Sequence, residues 1–89
     1  MPTRPDRASP HSAMLRVIVT SPEQLLFEGA AERLVFPGEQ GTFEVLPLHR
    51  SLISRLVRGT MEINDAVFGI RHGIVRVADD VVVAVVQLQ

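Results

Sequence analysis

Apolar residues recur at every second position in short runs, and turn-forming residues separate the runs. MLRVIVT, from Met14 to Thr20, is rich in β-branched residues and stops just before Ser21–Pro22, the pattern of a strand ending at a breaker. Leu25–Phe27 is a short apolar run before Gly29, and Ala31, Arg33 and Val35 then alternate with Glu32, Leu34 and Phe36 in an imperfect period of two. PGEQG is a turn cluster, and TFEVL after it places Phe43 and Val45 on one side of an extended strand that Pro47 breaks. SLISRLV reads as a strand or a short helical turn. In MEI, Met61 and Ile63 share a face opposite Glu62, and Asn64–Asp65 reads as a tight hairpin. VFGI leads to a second break at His72–Gly73, and Asp79–Asp80 turns IVRV into VVVAVVQL. Eight to ten short strands follow from this pattern, and no stretch keeps a helical period beyond about two turns. The expected class is all-β, a sandwich or barrel.

The last strand differs from the others. Val81, Val83 and Val85 point one way and Val82, Ala84 and Val86 the other, so both faces are apolar where a two-layer sheet normally wets one. Either a partner covers the outer face, or that face is simply a mildly apolar surface. Residues 1–13 read differently again. They hold three of the six prolines and little to bury, which predicts a flexible tail ahead of a single domain over 14–89.

Composition narrows the function. The 89 residues include no cysteine, so there is no disulfide or thiolate metal site. Nine basic residues, all arginine, against ten acidic ones give a net charge of -1, which argues against nonspecific nucleic-acid binding. Tyrosine and tryptophan are absent and the four phenylalanines are not interleaved with basic residues, so a stacking platform for bases is missing too. The longest apolar run, Val81–Val86, is six residues, where a membrane helix needs about 20. MPTRPDRASPHSA has no apolar stretch and is not a signal peptide.

Candidate chemistry is sparse. His49 and His72 stand far apart, each beside a turn, and nothing in their spacing asks for a metal. Ser51 and Ser54 lie near His49 without a nucleophile elbow around them. Glu39, Glu44, Asp65, Asp79 and Asp80 fall mostly in turns, where solvation and capping account for them. PGEQG lacks the Gly-Lys-Ser/Thr ending of a phosphate-binding loop. Arg50, Arg55 and Arg58 form a modest basic cluster, suited to an acidic partner or to a solvated face. From the residues alone, the reading is a noncatalytic β-domain that binds protein and needs no cofactor.

From Leu15 to Val85 the chain resembles the N-terminal domain of the F-type ATP synthase epsilon subunit, whose mitochondrial counterpart is called delta. The resemblance rests on Pro22, Glu23, Phe27, Gly29, Glu32, Pro37, Gly38, Gly41, Leu46, Pro47 and His49 in the first half, and on Leu52, Gly59, Ile63, Gly73 and Val77 in the second. It implies a ten-stranded sandwich of two five-stranded sheets, riding on the rotor, packed on the gamma subunit and touching the c-ring. It further implies a peripheral place on the cytoplasmic side of the bacterial inner membrane and a noncatalytic part in coupling ion flow to ATP synthesis or hydrolysis. By position, Glu39, Gln40, Thr42, Leu48, His49 and Arg50 would face the c-ring, and Val82, Ala84 and Val86 would face gamma.

The chain also departs from the family pattern. Thr42 stands where an acidic residue is usual, and Leu48 and Arg50–Ser51 flank His49 in place of glycine and Ala-Pro. The sequence given stops at Gln89, so the family's C-terminal helical hairpin, an inhibitory arm, is expected to be missing. Two rival readings are a generic β-sandwich adaptor and a small hydrolase using His49.

Overall fold

A computed structural model describes residues 14–89, and the tail expected over 1–13 lies outside them. The described residues form eight strands and no helix: β1 Leu15–Thr20, β2 Leu25–Ala31, β3 Leu34–Gly38, β4 Gly41–Val45, β5 Leu52–Leu56, β6 Gly59–Ile63, β7 Ala66–Ala78 and β8 Val81–Leu88. The all-β expectation holds. SLISRLV is a strand, and the strand count is eight rather than ten.

Part of the difference comes from one expected break that is no break. β7 runs thirteen residues straight through His72–Gly73. Its first half pairs with β6, from Ile63↔Ala66 to Gly59↔Ile70, and its second half pairs with β5, from Leu56↔Gly73 to Leu52↔Val77. Against β8 the register shifts between Ile70 and His72. That irregularity is a bulge, which bends and twists a strand without ending it. At the bend the backbones draw close, since a Cβ placed on Gly73 would stand 2.6 Å from the Val85 carbonyl oxygen. Only glycine permits that approach.

Nor do two separate five-stranded sheets appear. Hydrogen bonding is continuous in the order β2-β1-β8-β7-β5-β3-β4, with β6 bridging β3 and β7. β7, β5, β3 and β6 therefore close a circuit of pairings that folds the sheet over its own core. Every pairing is antiparallel except β1 with β8.

Local chemistry explains the turns. Asp79 and Asp80 adopt φ of 53° and 62°, the left-handed pair that a two-residue hairpin turn demands. Asn64 has φ 52° and closes the β6–β7 hairpin. Asn64 also explains why the run expected across Ala31–Phe36 is split at Glu32–Arg33. Its Oδ1 accepts from the Glu32 N–H at 2.9 Å, and its own N–H donates to the Arg33 carbonyl at 2.9 Å. The corner's backbone groups are thus satisfied outside any ladder.

Alternation sets the interior. Leu15, Val17 and Val19 of β1 meet Val82, Ala84 and Val86 of β8, Val75 and Val77 of β7, and Phe36, Met61 and Ile63 from the opposite side, all buried in one cluster. Phe43 packs partly buried against that cluster, its ring 5.7 Å from Phe36.

Candidate functional site

Two surfaces stand out, one at an end of the sandwich and one on its side. The end is built by the β3–β4 hairpin and the β4–β5 corner. Glu39 and Gln40 form the exposed hairpin tip between the paired Gly38 and Gly41. Gly41 has φ 121°, a conformation glycine adopts freely, and a side chain on Gly38 would strike the Phe43 ring at 2.8 Å. At the corner, the His49 N–H donates to the Leu46 carbonyl at 3.1 Å. Leu48 between them holds φ 70°, which costs a bulky L-residue about 1–2 kcal/mol. Its N–H donates to Asp80 Oδ1 at 2.7 Å, so the Asp79–Asp80 turn braces the corner.

The structure gathers Glu39, Gln40, Thr42, His49 and Arg50, five of the six residues read from sequence, around one open groove of about 670 Å³. Arg55 joins them, its Nε 3.8 Å from Glu39 Oε2. That exposed pair contributes little to stability. Leu48 is outside the groove, on a second depression with His49, Arg50, Ser51, Asp79 and Asp80.

Among the described residues no serine hydroxyl hydrogen-bonds His49. Its Nδ1 lies 2.7 Å from the Arg50 carbonyl oxygen. Ser54 Oγ donates to the Arg55 carbonyl at 3.0 Å. A hydrolase needs nucleophile and base turned toward one another. Among the described residues no three His, Asp or Glu side chains gather into a metal-binding group.

The side surface corrects the sequence reading of β8. Val82, Ala84 and Val86 are core residues at 0–1% exposure and cannot face a partner. The outward residues are Val81, Val83 and Val85 at 38–43%. The register with β1 decides this: Val17↔Val82 and Val19↔Ala84 face in, and Ile18↔Val83 faces out. Ile74 of β7 pairs with Val85 and Arg76 with Val83 on the same outer face. Ile53 of β5 lies beside Arg76, and Arg55 beside Ile74. The outer side of β1, β8, β7 and β5 is therefore an exposed apolar sheet set with Arg16, Arg55 and Arg76. Sequence reading had missed Ile18, Ile53 and Ile74 as parts of it.

The other outer face is different. Glu44 of β4 and Glu62 of β6 both lie opposite Val35 of β3. Arg33 hydrogen-bonds Glu44 and reaches Glu62 at 3.6 Å. The Glu44 bond above all, then the charges of both glutamates, holds the exposed Arg33 guanidinium above its ordinary value. That face carries this ion-pair cluster, with the exposed Val67 beside Glu62, where the first is largely apolar.

Comparison with known proteins fits this geometry. The family model described as the β-sandwich domain of the ATP synthase delta/epsilon chain matches residues 14–87. An ATP synthase epsilon chain of Leptospira interrogans serogroup Icterohaemorrhagiae serovar copenhageni is 36% identical over 70 residues, which is 74% of this chain and 55% of the relative. That of Nitratiruptor sp. is 47% identical over 49 residues, 55% of this chain and 38% of the relative. The chain thus spans between about a third and just over half the length of the curated relatives it matches. In solved structures, a chain of the Euglena gracilis mitochondrial ATP synthase (OSCP/F1/c-ring) superposes with TM-score 0.76 at 18% identity, over 97% of this chain and 58% of that one. A chain of the Tetrahymena thermophila mitochondrial ATP synthase central stalk and c-ring superposes with TM-score 0.75 at 14% identity, over 82% and 63%. At such identities the likeness establishes the fold.

Proposed function

Because the chain belongs to the family of ATP synthase delta/epsilon chain β-sandwich domains, we propose that it is a noncatalytic central-stalk subunit of an F-type ATP synthase. It packs on the gamma subunit through its side and meets the c-ring with its turn end. In that place it helps couple ion translocation to ATP synthesis or hydrolysis, peripheral to the cytoplasmic side of a bacterial inner membrane. No described helix is long and apolar enough to cross a membrane.

The observation that carries the reading is the contrast between the two outer faces. Ile18, Ile74, Val81, Val83 and Val85 are each 37–47% exposed on one face, while Arg33, Glu44 and Glu62 occupy the other. A contiguous apolar face on a small domain marks an interaction site. It suits an elongated apolar partner such as a stalk helix, with arginines placed to meet carboxylates at its rim. Glu39, Gln40, Thr42, His49 and Arg50 at the turn end are polar and exposed or half-buried, which suits the polar loops of a ring.

The test is retention on immobilised gamma subunit. Val83→Asp puts a carboxylate in the middle of the apolar face and leaves the core untouched. Arg76 lies opposite on β7 and offsets part of the cost, but desolvating the pair against gamma still costs about 1.5–3 kcal/mol, and retention is expected to weaken by roughly 10- to 100-fold. Glu44→Gln on the opposite face is expected to bind as the unmodified chain does. Equal retention of Val83→Asp would remove gamma from this surface.

A further inference from the structure

The β4–β5 corner holds a feature that folding alone does not account for. Leu48 occupies a left-handed backbone conformation, φ 70°, that glycine adopts freely and a bulky L-residue rarely does. The conformation is enforced from two sides. Leu48 N–H donates to Asp80 Oδ1 at 2.7 Å, and His49 N–H donates to the Leu46 carbonyl at 3.1 Å. Asp80 is itself fixed, because its carbonyl accepts the Arg16 N–H at 2.8 Å. Yet the leucine side chain gains almost nothing from the fold. At 83% exposure it is the most exposed large apolar side chain among the described residues.

A strained backbone and a rigid brace that together hold an apolar side chain in water make sense if the side chain is buried elsewhere. We infer that Leu48 is an apolar anchor that seats in a recess of the partner protein facing this end of the sandwich. On the functional reading above, from which the occupant is taken, that partner is the loop surface of the c-ring. The brace means that the corner has little ordering left to do on binding, which is how a single side chain adds affinity. Charge favours a protein over a lipid surface. Asp79 and Asp80 share the depression with Leu48, and Arg50 is the one guanidinium there among the described residues, whereas anionic membranes attract basic segments.

Release of the chain from two assembled complexes tests this, one holding gamma alone and one holding gamma with the c-ring. The ring is expected to slow release of the unmodified chain. Leu48→Gly relieves the strain, so its unfolding midpoint should equal or exceed that of the unmodified chain. It should nevertheless leave the ring-containing complex roughly 10-fold faster, the equivalent of one partly buried leucine, and leave gamma alone at an unchanged rate. Leu48→Met should restore slow release. Release of Leu48→Gly at the unmodified rate, with the ring still slowing both, overturns the anchor and leaves the ring contact standing. A ring that does not slow the unmodified chain overturns both. Binding to anionic phospholipid vesicles that Leu48→Gly abolishes assigns the leucine to lipid and also overturns the inference.

Discussion

Val82→Ala and Val83→Ala make the same chemical change at adjacent positions and should have unequal consequences. Val82 is fully buried between Val17 and Val77. Truncation removes two methyl-sized groups, worth about 0.8 kcal/mol each in transfer, and leaves a cavity, for a loss of about 2–3 kcal/mol. Val83 is 38% exposed, beside Ile18 and Arg76. Its side chain already meets solvent, so truncation should cost under about 0.5 kcal/mol. Alanine's lower β-propensity adds a loss that depends on the face, and the total at Val83 should stay under about 1 kcal/mol. For a domain of this size about 1 kcal/mol moves the midpoint by roughly 4–8 °C. Val82→Ala should therefore fall by about 8–24 °C and Val83→Ala by less than about 8 °C. The chain has no tryptophan or tyrosine, so the assay is thermal unfolding followed by far-UV circular dichroism. Equal shifts, or a larger one for Val83→Ala, would refute the β1–β8 register and the surface built on it.

Two further changes probe the frame that holds the site. Gly73→Ala forces a Cβ to 2.6 Å from the Val85 carbonyl where β7 changes partner, and should cost about 1–3 kcal/mol in a urea titration despite the entropic advantage of alanine. Asp80→Ala removes the acceptor for the Leu48 N–H and puts alanine at φ 62°, for a loss of about 1–2 kcal/mol and faster amide exchange at Leu48, whereas Asp80→Asn keeps both features and should lose under about 0.5 kcal/mol.

Where structure depends on neighbours in sequence, the sequence was legible. Asn64–Asp65, Asp79–Asp80 and Gly38–Gly41 each carry the residues their turns require, and the structure turns at all three. Met61 and Ile63 face in with Glu62 less buried, as their alternation indicates. Where structure depends on pairing across the chain, local reading misled. His72–Gly73 looks like a turn because a glycine serves a tight turn and a close strand approach equally well, and only the neighbouring Val85 backbone tells them apart. VVVAVV has no polar residue to break its symmetry, so its inward face was undetermined until β1 fixed it. Arg16 on β1 and Arg76 on β7, opposite Val81 and Val83, held that signal. Leu48 was recognisable as a substitution for a customary glycine. Its brace was not, because Asp80 lies 32 residues away.

Cross-linking in the assembled enzyme tests the central claim most directly. The chain has no cysteine, so single cysteines report without background. Val83→Cys should cross-link to gamma, and Thr42→Cys at the turn end to a c subunit, each in high yield with a short linker. Val83→Cys left fully open to a bulky maleimide in the assembled enzyme, or the two positions exchanging partners, would contradict the orientation proposed for this sandwich on the rotor.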